Sequence, residues 1–268
     1  MSTLPDKLPI APFTRPVRGS VTLPGSKSIT NRALILAALA KGTTILHGAL
    51  FSRDSRIMVA ALRQLGFSVE TNEAALTIKI EGYDGVIPAR EATLHIGNAG
   101  TAARFLTAFV CLRPDGIYHF DGDEAMRRRP IGALLEALEA QGAKASSRSF
   151  PFTLKTAGLP GGTVELDASE SSQMLSALLM VAPHARTPLT VKLKGTAGSK
   201  SFVMMTEKML GQLAVDPGNY VIEGDASAAS YFLALPLVTS GSVVLPNYNG
   251  TLQGDRKFLE VLTRAGLR

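Results

Sequence analysis

The chain has 268 residues, 46% of them hydrophobic and 19% charged, enough apolar material for one large or two smaller domains with a sizeable core. No apolar run reaches the roughly 18 residues of a membrane span. Met1-Ser-Thr-Leu-Pro5 also lacks the basic and apolar regions of a secretory leader, so a cytoplasmic protein without a membrane partner is expected. The net charge of +6 favours anionic partners, whereas the absence of Trp, 6% aromatic residues and no long Lys/Arg tract argue against nucleic acid and for small acidic substrates.

Residues 1–18 carry Pro5, Pro9, Pro12 and Pro16 and form a lead-in. Alternation predicts a strand over 20–23, and apolar spacing predicts a helix over 28–39, closed by Lys41-Gly42. A strand follows at 43–46. Asp54 then opens a helix whose stripe is Ile57, Met58, Ala61, Leu62 and Leu65, stopped by Gly66, and a further strand covers 75–80. The same order returns with helices over 101–112 and 131–141, a turn at Asp115-Gly116, a stop at Gly142 and a strand over 152–155. The single cysteine, Cys111, falls in an apolar helical run and reads as core packing, which leaves neither a disulfide framework nor a cysteine metal cluster.

The chain is built on a repeat. Leu23-Pro-Gly-Ser-Lys-Ser-Ile-Thr-Asn-Arg32, Leu94-His-Ile-Gly-Asn-Ala-Gly-Thr-Ala-Ala-Arg104, Val164-Glu-Leu-Asp-Ala-Ser-Glu-Ser-Ser-Gln173 and Val221-Ile-Glu-Gly-Asp-Ala-Ser-Ala-Ala-Ser230 each lead from a strand through a turn into a helix. Their turns, aligned at Gly25, Gly97, Ala168 and Gly224, are spaced 72, 71 and then 56 residues apart. The segment from Gln212 to Gly218 leaves no room for the strand pair that closes the earlier periods, and the last period ends at a helix. Both features predict that the chain is incomplete. The reading is an α/β (α+β) protein of βαβαββ units: a three-unit lobe over 19–218, and residues 219–268 as the first unit of a second, incomplete lobe joined by 1–18.

Helix starts expose unpaired N–H groups and a partial positive charge, so they bind phosphate and carboxylate. Here they also carry polar side chains. Lys27 supplies a cation, Ser28 a hydroxyl, and Arg32, one turn on, a guanidinium on the same helical face. Taken alone, Ser28 reads as a helix cap and Arg32 as a solvated surface residue. Asn98-Ala-Gly100-Thr101 is a small-residue turn that allows close approach to backbone N–H groups, with Arg104 behind it. Ser171, Ser172 and Gln173 offer hydroxyl and amide donors, although Asp167-Ala-Ser-Glu170 is itself a good capping sequence. Met126-Arg-Arg-Arg-Pro130 precedes a helix, with Pro130 suited to its first turn and Arg129 the best placed of the three arginines for a carboxylate or phosphate. Ser199 and Lys200 occupy the equivalent turn of the third unit. Repetition brings all these turns to one face, and that agreement carries more weight than any single motif.

These motifs, with Arg-Arg-Pro-Ile-Gly132, Glu223-Gly-Asp-Ala-Ser-Ala-Ala-Ser-Tyr-Phe232 and Leu252-Gln-Gly-Asp255, resemble the 5-enolpyruvylshikimate-3-phosphate (EPSP) synthase family over nearly the whole chain. The resemblance implies an enolpyruvyl transferase-like fold of two lobes. It also implies transfer of the enolpyruvyl group of phosphoenolpyruvate to the 5-hydroxyl of shikimate 3-phosphate with release of phosphate, and no metal or organic cofactor. By motif matching, Ser28, Arg32, Ser171, Ser172, Gln173 and Ser199 would hold shikimate 3-phosphate. Lys27, Gly100, Arg129 and Gln173 would meet phosphoenolpyruvate, and Asn98 would support the adjoining turn. Lys27 would stabilise developing negative charge, and glyphosate, the family's inhibitor, would sit beside Gly100 and Thr101.

Phe202 and Phe105 depart from the tyrosine and proline common in the family. The family's acid/base aspartate, Lys-Glu-Thr-Asp-Arg run and Asn-Asp-His-Arg segment have no match here, so no general acid or base is assigned. The chain alone is expected to bind substrate and turn over poorly. Two other readings compete: a UDP-N-acetylglucosamine enolpyruvyl transferase, disfavoured by Ser28, Arg32 and the placement of Cys111, and a noncatalytic repeat module that binds polyanions.

Overall fold

The structure is a computed structural model and describes residues 7–195, 198–215, 218–250 and 252–267. The first repeat comprises β1 (Arg18–Ser20), α1 (Lys27–Leu39), β2 (Lys41–His47), α2 (Arg53–Gln64), β3 (Val69–Asn72) and β4 (Thr77–Tyr83). The second comprises β5 (Glu91–His95), α3 (Gly100–Val110), β6 (Ile117–Asp121), a short α4 (Glu124–Arg127), α5 (Gly132–Glu139), β7 (Lys144–Ala145) and β8 (Phe152–Lys155). The third has β9 (Gly162–Leu166), α6 (Ser172–Val181), β10 (Leu189–Leu193) and α7 (Lys200–Val215). The chain then enters β11 (Asn219–Val221), α8 (Ala226–Thr239), β12 (Ser242–Val244) and α9 (Lys257–Arg264).

The second repeat forms the four-stranded sheet β5-β6-β8-β7, in which β6 lies parallel to β5 and antiparallel to β8. The first repeat has the same layout with one exchange. Its sheet is β11-β2-β4-β3, so the outer parallel strand comes from beyond the third repeat. The strand expected over 20–23 lies at 18–20 and pairs instead with β12. The chain therefore crosses between these two sheets twice, and the crossings touch: Gly25 and Gly224 form an antiparallel bridge, with Ser26 N–H donating to Glu223 O at 2.9 Å. Gly25 has no room for a side chain, because a Cβ there would lie 2.0 Å from the carbonyl oxygen of Gly48.

The third repeat is short, as its contracted spacing predicts. α7 runs to Val215 and β11 begins at Asn219, so β9 and β10 remain a two-stranded parallel sheet. Residues 216–217 of that junction, and residues 1–6 of the proline-bearing lead-in, lie outside the described residues.

The helix that follows each repeat's turn lies at the centre. α1 is buried from Ile29 to Leu39, and α3 and α6 are nearly as apolar all round, the pattern of helices enclosed on every side. These helices pack on one another and on α7, while amphipathic α2 lies outside with one buried face. Cys111 is fully buried at the end of α3, and burial pushes its thiol well above the usual range, as core packing requires. Among the described residues, no helix is long and apolar enough to cross a membrane.

Candidate functional site

Because the central helices run side by side, their starts meet at one end of the lobe. A cavity of about 270 Å³ there is lined by Ser28 and Arg32 of α1, Thr101 of α3, Glu170 to Gln173 at the start of α6, and Gly198, Ser199 and Phe202 at the start of α7. Residues from the first, second and third repeats thus share one wall. Ser171 does cap α6, accepting from Gln173 N–H at 3.3 Å, so its capping and cavity-lining roles coexist. Ser28 is not a cap: that position belongs to Ser26, whose hydroxyl makes no capping bond, and Ala99 at the start of α3 makes none either. The start of α3 thus lacks a capping side-chain oxygen, whereas at α1 the N–H of Lys27 donates to the carboxylate of Asp225 at 3.2 Å in place of an N-cap side chain.

Arg32 is the chemical centre of this wall, and its surroundings overturn the solvated reading. It is 2% exposed. Nε donates to Thr206 Oγ1 at 2.7 Å, one terminal nitrogen to Ser28 O at 3.0 Å, and the other to Ser176 Oγ at 3.2 Å and Phe202 O at 3.3 Å. Its guanidinium carbon lies 5.2 Å from the ring centre of Phe105 and 5.8 Å from that of Phe202. All these acceptors are neutral. Burial pulls the Arg32 pKa down to about 10, the mark of a desolvated cation held without a carboxylate. An anion entering the cavity would supply the missing counter-charge.

A second cationic group lies beside it. A Cβ at Gly100 would stand 2.6 Å from an Arg129 Nη, 3.1 Å from an Arg104 Nη and 3.6 Å from Gln173 Oε1, so these side chains crowd the bare backbone at the start of α3. Gln173 Nε2 also donates to Thr101 Oγ1 at 3.2 Å. Burial and then the nearby Arg129 lower the Arg104 pKa to about 10, and Glu170 partly opposes them. Arg104 is held from behind by the carbonyls of Gly100 and Pro130. Of the arginine run, Arg127 pairs with Asp121 and Arg128 with Glu124, while Arg129 has no ion-pair partner among the described residues. The run does not all precede a helix, because Met126 and Arg127 end α4 and Pro130 sits one residue before the cap of α5, Ile131.

Two expected residues lie at the margin. Lys27 opens α1 but stands outside the cavity lining, with its ammonium 3.4 Å from Asp54 and its backbone N–H directed at Asp225, the cap of α8, at 3.2 Å. Asn98 stands in the turn before α3, and its buried Oδ1 has no hydrogen-bond partner among the described residues. Thr206 and Ser176 were not legible as site residues, and Phe105 and Phe202 stood out only as departures from the resembled family, not as rings flanking Arg32. They follow Arg32 by large sequence separations, and the helical periodicity that places them marks them only as core. Glu170, read as part of a cap, also lines the cavity.

The fold is that of an enolpyruvyl transferase-like α/β repeat protein, with Arg32, Arg104 and Arg129 gathered at its converging helix starts. Residues 13–268 match the family described as EPSP synthase (3-phosphoshikimate 1-carboxyvinyltransferase), and the chain belongs to that family. It is 48% identical to the 3-phosphoshikimate 1-carboxyvinyltransferase of Opitutus terrae, covering 99% of this chain and 68% of that protein, and 41% identical to that of Trichormus variabilis, covering 97% and 66%. The chain thus spans about two thirds of the length of these relatives. The Opitutus match runs over 292 aligned positions, more than the 268 residues here, so that relative has residues within the matched span that this chain lacks. The fold matches the EPSP synthase of Acinetobacter baumannii with a TM-score of 0.80 at 23% identity, covering 95% of this chain and 61% of that one.

Proposed function

We propose that this chain is the shikimate-phosphate-binding portion of a 3-phosphoshikimate 1-carboxyvinyltransferase acting in the cytoplasm. Shikimate 3-phosphate occupies the cavity, its phosphate toward Ser28, Ser171, Ser172 and Ser199 and its charge balanced by Arg32. Phosphoenolpyruvate takes the adjoining position at Gly100, Arg129 and Gln173, where two unneutralised guanidiniums and an open helix start favour a compact anion carrying phosphate and carboxylate. Glyphosate competes for that second position.

In the reaction, the 5-hydroxyl gives up its proton as its oxygen bonds to C2 of phosphoenolpyruvate, and C3 takes up a proton. Loss of phosphate from C2 and of a proton from C3 then restores the double bond. Lys27 stands one residue from Ser28 and lends positive charge where the two substrates meet. The family's acid/base groups have no counterpart in residues 1–268, so the chain by itself binds shikimate 3-phosphate but turns over poorly.

The observation that carries this reading is the buried Arg32, held by neutral acceptors at a wall built from three repeats. Calorimetric titration of the 268-residue protein with shikimate 3-phosphate, UDP-N-acetylglucosamine and a single-stranded oligonucleotide tests it. Saturable binding of shikimate 3-phosphate alone supports the proposal. Preference for the nucleotide sugar, or binding that grows with oligonucleotide length and collapses with salt, rejects it.

A further inference from the structure

The three sheets of the main lobe share a plan up to one edge. In the first, the strand parallel to β11 is β2, and its far side is occupied by antiparallel β4. In the second, β6 lies parallel to β5, and its far side is occupied by antiparallel β8. In the third, β10 lies parallel to β9, and no described strand pairs with its far side. We infer that this edge of β10 is an interface for a second copy of the same chain, which places its own β10 antiparallel across a two-fold axis at Val191.

The backbone directions are set by the pairing with β9. Gly162 N–H donates to Pro188 O and Lys194 N–H donates to Leu166 O, both at 2.9 Å, so the even-numbered residues of β10 direct their N–H and C=O groups toward β9. Leu189, Val191 and Leu193 therefore direct theirs to the open side. Such an edge is a template for another strand.

The sequence Leu189-Thr-Val-Lys-Leu193 also complements itself when reversed. With Val191 opposite its symmetry mate, Leu189 faces Leu193 and Thr190 faces Lys192, so apolar meets apolar on one face and no lysine opposes a lysine on the other. Leu193 is 41% exposed and gains cover, whereas Leu189 and Val191 already pack against the core. Lys194 is tied to Glu165 at 2.9 Å, which keeps its charge on the β9 side. All three pairs on the open side are of the hydrogen-bonded kind, giving about six bonds between the two chains and a continuous sheet β9-β10-β10-β9.

The inference does not depend on the proposed reaction, because it uses no cavity residue. Sedimentation analysis of the 268-residue protein over a range of concentrations should show a monomer–dimer equilibrium. Amide exchange read residue by residue should show Thr190, Lys192 and Lys194 protected at every concentration, and Leu189, Val191 and Leu193 protected only where the dimer forms. Leu193→Pro removes an open-side N–H at an exposed position and should weaken dimerisation by about tenfold or more. A monomer at all concentrations, a dimer in which the odd-numbered amides exchange freely, or a folded Leu193→Pro variant with unchanged dimerisation would overturn the inference. Since the exchange measurement uses the unaltered chain, misfolding of the variant does not leave the question open.

Discussion

Replacing Arg32 with Met should separate binding from stability with opposite signs. The fall of the guanidinium pKa from 12.5 to about 10 corresponds to about 3 kcal/mol against the charged form in the folded protein. Met keeps the length and apolar stem of the side chain and removes that charge. The acceptors it abandons retain partners, since Thr206 Oγ1 still bonds Ser176 Oγ at 3.0 Å and Phe202 O at 2.9 Å. The lost bonds at Thr206, Ser176 and Phe202 offset part of the gain, so the variant should lie between no change and about 2 kcal/mol more stable than the parent. Shikimate 3-phosphate loses a desolvated, charge-assisted contact of about 1.5–3 kcal/mol, which weakens binding about 10- to 150-fold. Urea denaturation and calorimetric titration of the same preparations give both numbers. Unchanged affinity in a folded variant would remove Arg32 from the anion site. Destabilisation beyond about 2 kcal/mol would make it a structural strut and refute the unsatisfied-charge argument.

Gly100→Ala places a methyl 2.6 Å from Arg129 and 3.1 Å from Arg104, so it should weaken phosphoenolpyruvate binding about tenfold or more while leaving shikimate 3-phosphate within about threefold, as paired titrations would reveal. Cys111, buried with its thiol pKa pushed up, should resist alkylation in the native protein and react as urea unfolds it, and mass spectrometry after brief labelling reads this directly. Burial holds the His184 pKa below its ordinary 6.5, with Asp84 opposing. As pH falls through 6.5 the unfolded chain takes up a proton that the folded one resists, so stability should drop on acidification. Thermal melts at pH 7 and pH 5 should show a smaller loss for His184→Gln than for the parent, and equal losses would refute the assignment.

The repeated turns carried most of the fold. Central helices, outer helices and strands fall close to their expected spans because each repeat signals its own starts and glycine stops locally. The exchange of β1 and β11 was hidden, since nothing in either short strand states which sheet it joins; in the structure the two crossing segments meet at the bridge between Gly25 and Gly224. At the site, Ser28, Arg32, Thr101, Ser171, Ser172, Gln173 and Ser199 were legible as helix-start residues, and they line one cavity. The burial of Arg32 was not legible, because it depends on Phe105, Ser176, Phe202 and Thr206 arriving from three other helices. Lys27 shows the opposite limit: its position in the motif is clear, but its ion pair with Asp54 is set by the start of α2.

On the proposed function, helix starts remote in sequence form one cradle for shikimate 3-phosphate. Titration followed by amide NMR tests it most directly, with unphosphorylated shikimate as the comparison. Saturable shifts confined to the starts of α1, α3, α6 and α7, strong with the phosphate ester and weak without it, are predicted. Shifts scattered over unrelated surfaces, or none at saturating ligand, would contradict it.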